Sequence, residues 1–321
     1  MVYQSRREFV KNAGLGILAL VAAPALINCD SKRRAIPFEE ALSNPGLRQQ
    51  YINQLVEKEF GKGAYKYIDS FIYDRDGSLA KSETASYIDR FRDDPRFLEL
   101  IAPDYLRSRR LRGIDITEKD VSKFLKSQKG EWVLEDILKQ FKIEYEKQID
   151  EGEATTLQYL FDFGKKAKSK VYIKERIFEK DGEYEPTGEI IRSALMHEYS
   201  HAEDFFNGIN LKEGLSIDAS NHSKINGRAV SFVSEMRAYE KQLQFSGKFG
   251  RKNPAYKISA YTFADFIYKN ALSRETALKP KDFTPYENKL ISYYMDRLNN
   301  LNKDYPEVLF FIEFFMRKRV Y

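Results

Sequence analysis

The sequence predicts a mainly α-helical fold with a small β-sheet, an α+β class, on three observations. Apolar residues recur at helical spacing through most of the chain. One stretch, Lys170 to Phe178, alternates instead and is rich in β-branched and aromatic residues before it meets Asp181-Gly182. Aromatic residues make up 14% of the 321 residues, almost all Tyr and Phe, which is enough apolar area to pack a core beyond the N-terminal segment.

The chain opens on Ser5-Arg6-Arg7-Glu8-Phe9-Val10-Lys11, followed by an apolar run from Ala13 to Ile27. Gly14, Gly16 and Pro24 interrupt that run, so it is too short and broken for a membrane span. The S-R-R-x-F-x-K pattern resembles the twin-arginine translocation signal, which implies that the protein folds before export. Leu26-Ile27-Asn28-Cys29 resembles a lipobox, which implies cleavage before Cys29 and a lipid on its thiol, anchoring the chain to a membrane of the cell envelope or periplasm. Cys29 is the sole cysteine, so neither an intrachain disulfide nor a cysteine-based zinc finger can form. Residues 1–28 are therefore expected to be a signal peptide, and residues 29–46, with Pro37, Pro45 and Gly46, a tether.

From residue 47 to 152 the chain reads as a helical region, with segments Arg48–Phe60, Ser82–Arg92, Arg96–Arg110, Thr117–Gln128 and Glu131–Ile149. Thr117-Glu118-Lys119-Asp120 has the form of a capping box. The region 153–321 starts with the strand Lys170–Phe178 and continues into a helix Gly188–Asn207, opened by Thr187 after Pro186 and closed by Gly208. Further helices are expected near Lys224–Phe245, Tyr256–Leu272, Tyr286–Leu301 and Pro306–Arg317. The sheet should be single and small, with an edge strand beside the helix at 188–207. The formal net charge of +5 is spread over 53 basic and 48 acidic side chains, a mixed surface that argues against nucleic-acid binding.

The chemistry concentrates in His197-Glu198-Tyr199-Ser200-His201. Residues four apart share a helix face, so His197 and His201 can present imidazole nitrogens to one ion with Glu198 beside it. Two imidazoles and a carboxylate suit a tetrahedral Zn2+ with one open position for water, and Glu198 is placed to take that water's proton. The apolar Ile190, Ile191, Ala194, Leu195 and Ala202 give the helix a buried side. With three histidines in the whole chain, this spacing is rare by accident.

This H-E-x-x-H helix resembles that of the zincin superfamily of metallopeptidases over about residues 170–245. The resemblance implies a zincin-like catalytic core carrying an added N-terminal helical region. Asp204 and Asn207 stand where a metzincin needs Gly and His, which excludes that branch. Ser234-Glu235-Met236-Arg237-Ala238-Tyr239 resembles the glutamate helix of gluzincin-like families. It implies Glu235 as third ligand, Ala238 as a point of close helix approach and Tyr239 as a hydrogen-bond donor to a ligand or oxyanion. Two other residues stay open as ligands. His222, in the polar loop Ser220–Ser223, can serve as ligand or as donor to the reaction intermediate. Asp204 is better read as partner of an imidazole N–H. Residues 208–227 form a lid or a wall of the cleft. The expected activity is zinc-dependent hydrolysis of a peptide or protein, and the competing expectation is a silent zincin fold that binds a metal or a partner.

Overall fold

The computed structural model describes residues 34–94, 97–98, 101, 131–157, 162–180, 185–273, 277–298 and 304–318. The expected signal peptide, Cys29, the helix Thr117–Gln128 and all but three residues of Arg96–Arg110 lie outside the described residues. Within the stretch expected to be a tether, Phe38–Ser43 forms a first helix, α1, and Pro45–Leu47 a 3-10 turn. The cause is Arg48, the first residue of α2 (Arg48–Phe60). Its buried guanidinium donates to the Ala41 and Leu42 carbonyls, each at 3.1 Å, and pairs with Glu175 at 2.8 Å. A chain tied down in this way is structure rather than spacer.

A strand that the sequence did not reveal, β1 (Ile68–Tyr73), lies between two expected helices of the mainly helical region. Ile68, Phe71 and the aromatic Tyr73 suit a pleated, half-buried surface better than a helix stripe. Gly77, at φ +77°, then turns the chain into α3 (Ser78–Phe91). The buried Asp74 carboxylate accepts from the Leu79 and Ala80 amides at 3.1 and 2.9 Å, so α3 starts four residues before its apolar spacing suggests. The helix α4 (Glu131–Glu151) packs against α3 through a cluster including Tyr87, Phe97 and Ile137.

Strand β2 (Ala154–Leu157) pairs antiparallel with β3 (Ser169–Ile173), and β1 pairs parallel with β3 on its other side. The order β1-β3-β2 makes the expected strand the central one and β2 an edge. β3 also ends at Ile173 rather than Phe178. Lys174 turns inward, where its ammonium donates to the Ile149 and Asp150 carbonyls at the C-terminal end of α4, and Glu175–Phe178 is a 3-10 turn.

The helix α5 (Gly188–Asn207) has the expected limits, because the Thr187 hydroxyl accepts from the Ile190 amide and Gly208, at φ +76°, ends it. A hairpin, β4 (Ile209–Lys212) with β5 (Leu215–Ile217), follows as a second sheet. Tyr286 holds this hairpin. Its hydroxyl donates to the Ser216 carbonyl at 2.6 Å and accepts from the Ser216 amide at 3.0 Å. Tyr286 thus fastens the hairpin, and His222, Ile225 and Gly227 of the segment 208–227 line the cleft.

Next come α6 (Gly227–Ser246), α7 (Pro254–Ile267, with a π-turn to Leu272), α8 (Pro285–Leu298) and α9 (Pro306–Lys318). Ala229, Ala238, Ala260 and Ala264 are fully buried where these helices pack, and small side chains there permit close approach. Phe232, Phe263, Leu243 and Leu290 fill the core between them. Among the described residues no helix is long and apolar enough to cross a membrane.

Candidate metal centre

The geometry starts from α5. Ile191, Leu195 and Ala202 are fully buried, which turns His197, Glu198 and His201 toward a cleft. Helix α6 packs against α5, with the fully buried Ala238 near the contact, and Glu235 sits one turn before it. The result is a convergent trio. His197 Nε2 lies 3.3 Å from one Glu235 oxygen, His201 Nε2 lies 3.3 Å from the other, and the two Nε2 atoms are 3.1 Å apart. A tetrahedral ion about 2.0–2.1 Å from each ligand separates its ligands by about 3.3 Å, so these spacings fit.

The far sides of the rings explain why the near sides are suited to a cation. His197 Nδ1 is 3.0 Å from Gln242 Oε1, an atom that can only accept, so that nitrogen carries the proton and Nε2 is bare. His201 Nδ1 is 2.9 Å from the Ser234 hydroxyl, which can accept from it in the same way. Two bare nitrogens and a carboxylate then converge on one point, a repulsive arrangement until a positive charge is placed among them. His197, His201 and Glu235 can hold a metal ion. Ser234 and Gln242 orient the rings as outer partners.

A proton on His201 can play that part in place of a metal. Burial opposes charge on His201, but the Glu235 carboxylate outweighs it and lifts the imidazole to about 9. Glu235 is also buried, and the two histidines hold its carboxyl well below the usual carboxylate range. Metal and proton compete for His201 Nε2, so a higher pH favours the metal. Apparent zinc affinity is expected to rise about tenfold per pH unit from pH 6.5 and to level off near pH 9. Titration against a chromogenic chelator reads this directly, and an affinity flat across that range contradicts it.

Glu198 is 8% exposed, and its Oε2 accepts from Thr156 Oγ1 at 2.6 Å, with the Glu198 carbonyl 3.2 Å from the same hydroxyl. The Tyr239 ring meets the His197 ring edge at 4.5 Å between centroids and rests on Phe263 and Phe266. Burial pushes its phenol up, so it remains a protonated donor at neutral pH. Both residues line a cleft of about 1160 Å³ with the trio.

The remaining candidates separate. His222 is on the cleft wall, stacked on Phe163 with Nδ1 3.2 Å from the Asp218 carbonyl, and is not part of the trio. Asp204 is not the partner of an imidazole; Ser234 and Gln242 have that place. It points instead to Arg237 on α6, whose Nε donates to both its oxygens at 2.9 and 3.0 Å. A side chain that short, one turn further along the same straight helix, cannot reach back to the rings.

No protein-family model, curated protein or solved structure matches this chain. The chemistry of the centre stands on its own geometry. Ser234, Gln242 and Thr156 were not visible as site residues in the sequence. Gln242 had the one available signal, since it lies seven residues after Glu235 and hence on a similar face of α6.

Proposed function

We propose that the protein is a zinc-dependent hydrolase acting on peptide or protein, with a zincin-like core. The observation that carries this reading is that Glu198 sits on the helix that supplies both histidines and lines the same cleft as the converging His197, His201 and Glu235, since a purely structural site has no use for that carboxylate. His197, His201 and Glu235 would hold the ion. A bound zinc supplies Lewis acidity and brings a water molecule's pKa toward neutrality.

Glu198 accepts a proton from the attacking water at its carboxylate and returns it to the leaving amine. Tyr239, kept protonated, donates a hydrogen bond to the oxygen that gains negative charge. His222 stands on the cleft wall as a second donor. The resemblance of Ser5–Lys11 to a twin-arginine signal and of Leu26–Cys29 to a lipobox supports a protein that is exported folded and works in the cell envelope, tethered at Cys29.

The test is metal content by elemental analysis, together with chelator-sensitive hydrolysis of fluorescein-labelled casein. About one zinc per chain is expected in the parent, and His201→Ala should retain almost none at micromolar zinc. A parent that takes up no metal on dialysis against zinc rules the reading out and leaves the partner-binding alternative.

A further inference from the structure

The geometry points to Thr156 as a positioning residue for the base, coupling the edge strand β2 to Glu198. Thr156 is 8% exposed, and its hydroxyl has one proton to give. The shorter of its two contacts is with Glu198 Oε2, at 2.6 Å against 3.2 Å for the carbonyl, as expected when a hydroxyl donates to a charged oxygen. Among the described residues Thr156 is the hydrogen-bond donor to that carboxylate.

A glutamate side chain has several staggered rotamers open to it until a partner selects one. Holding Oε2 fixes the plane of the carboxylate and leaves Oε1 to take the proton. The strand that does the holding also lines the cleft at Ala154, Thr155 and Thr156. Among the described residues, backbone pairing in this sheet engages β2 only through β3. Whatever seats in the cleft therefore rests on the same strand that aims the base, and a displacement of β2 by the width of a hydrogen bond releases Oε2.

The catalytic half of this role rests on the hydrolase reading, whereas the hydrogen bond itself does not, and two measurements on the full chain keep them apart. The first is a double-mutant cycle in the metal-free protein, with Thr156→Val, Glu198→Ala and both together, read by urea unfolding. A coupling of about tenfold in the unfolding equilibrium constant is expected. A coupling under about twofold overturns the contact and leaves the hydrolase reading intact.

The second measurement uses the zinc-loaded protein and labelled casein. Thr156→Val should lower kcat about 10–100-fold with KM within about twofold and zinc content equal to the parent's, and Thr156→Ser should restore kcat. An unchanged kcat in Thr156→Val overturns the positioning role, as does a loss that Thr156→Ser fails to rescue. If the parent is no faster than Glu198→Gln, the hydrolase reading falls and takes the catalytic half with it, while the coupling measured in the first experiment is unaffected.

Discussion

On the hydrolase reading, Glu198→Gln is expected to lower hydrolysis about 10²–10⁴-fold while metal binding by His197, His201 and Glu235 is retained. Glutamine has the shape of glutamate, and its Oε1 can still accept from Thr156, so packing of the 8% exposed side chain should survive. What is lost is the capacity to take a proton. Glu198 is not one of the three converging groups, and zinc content should stay at the parent's level. Activity that persists in this variant removes the base from the mechanism. Loss of metal along with activity makes Glu198 part of the ion site, contrary to the geometry.

The second large effect concerns Arg237→Ala. Asp204 has a 1% exposed side chain and both its oxygens engaged by Arg237, whose own side chain is 24% exposed. Removing the cation leaves a carboxylate buried without compensation, a loss of about 3–5 kcal/mol for a fully buried pair. Partial exposure of Arg237 lowers this to about 2–4 kcal/mol. For a domain of this size that corresponds to a melting temperature roughly 3–7 °C lower.

The position of the pair adds a functional consequence. Arg237 is two residues after Glu235 and Asp204 three after His201, so the ion pair fixes the same helix crossing that brings two ligands together. Zinc affinity should fall with stability, and Arg237→Lys should recover part of both. A thermal scan that does not move in Arg237→Ala contradicts the account.

The sequence was most informative where local chemistry sets structure. The limits of α5 were visible because Thr187 and Gly208 act within a turn of the backbone they terminate, and α2 was visible from its apolar spacing. The histidine pair was visible because four-residue spacing on a helix is a geometric statement. Glu235 was reached only through a likeness of local pattern, since nothing in the order of residues says which helix crosses α5.

The hidden parts depend on contacts between distant segments. β1, β2, β4 and β5 are three to six residues long, too short for alternation to stand out. The extended reading of β3 failed at Lys174 because its ammonium finds the carbonyl end of α4, some 25 residues earlier. Asp204 was assigned to the wrong partner for the same reason, as Arg237 lies on another helix. Thr156 gave no signal, since only the folded sheet sets it against Glu198.

The pairing of β1 with β3 bears on how quickly the chain can be made ready. β2 and β3 are near neighbours in sequence, but Ile68 meets Ser169 across about 100 residues, and the two strands run parallel. Closing a loop of that length forfeits entropy before any contact rewards it, which slows assembly and leaves the edge of β3 open meanwhile. During that interval an unprotected strand edge can pair with another chain. A protein exported in folded form would have to complete this closure inside the cell, so the slowest event in its maturation is expected to be docking of the residue 68–73 segment rather than formation of the helices.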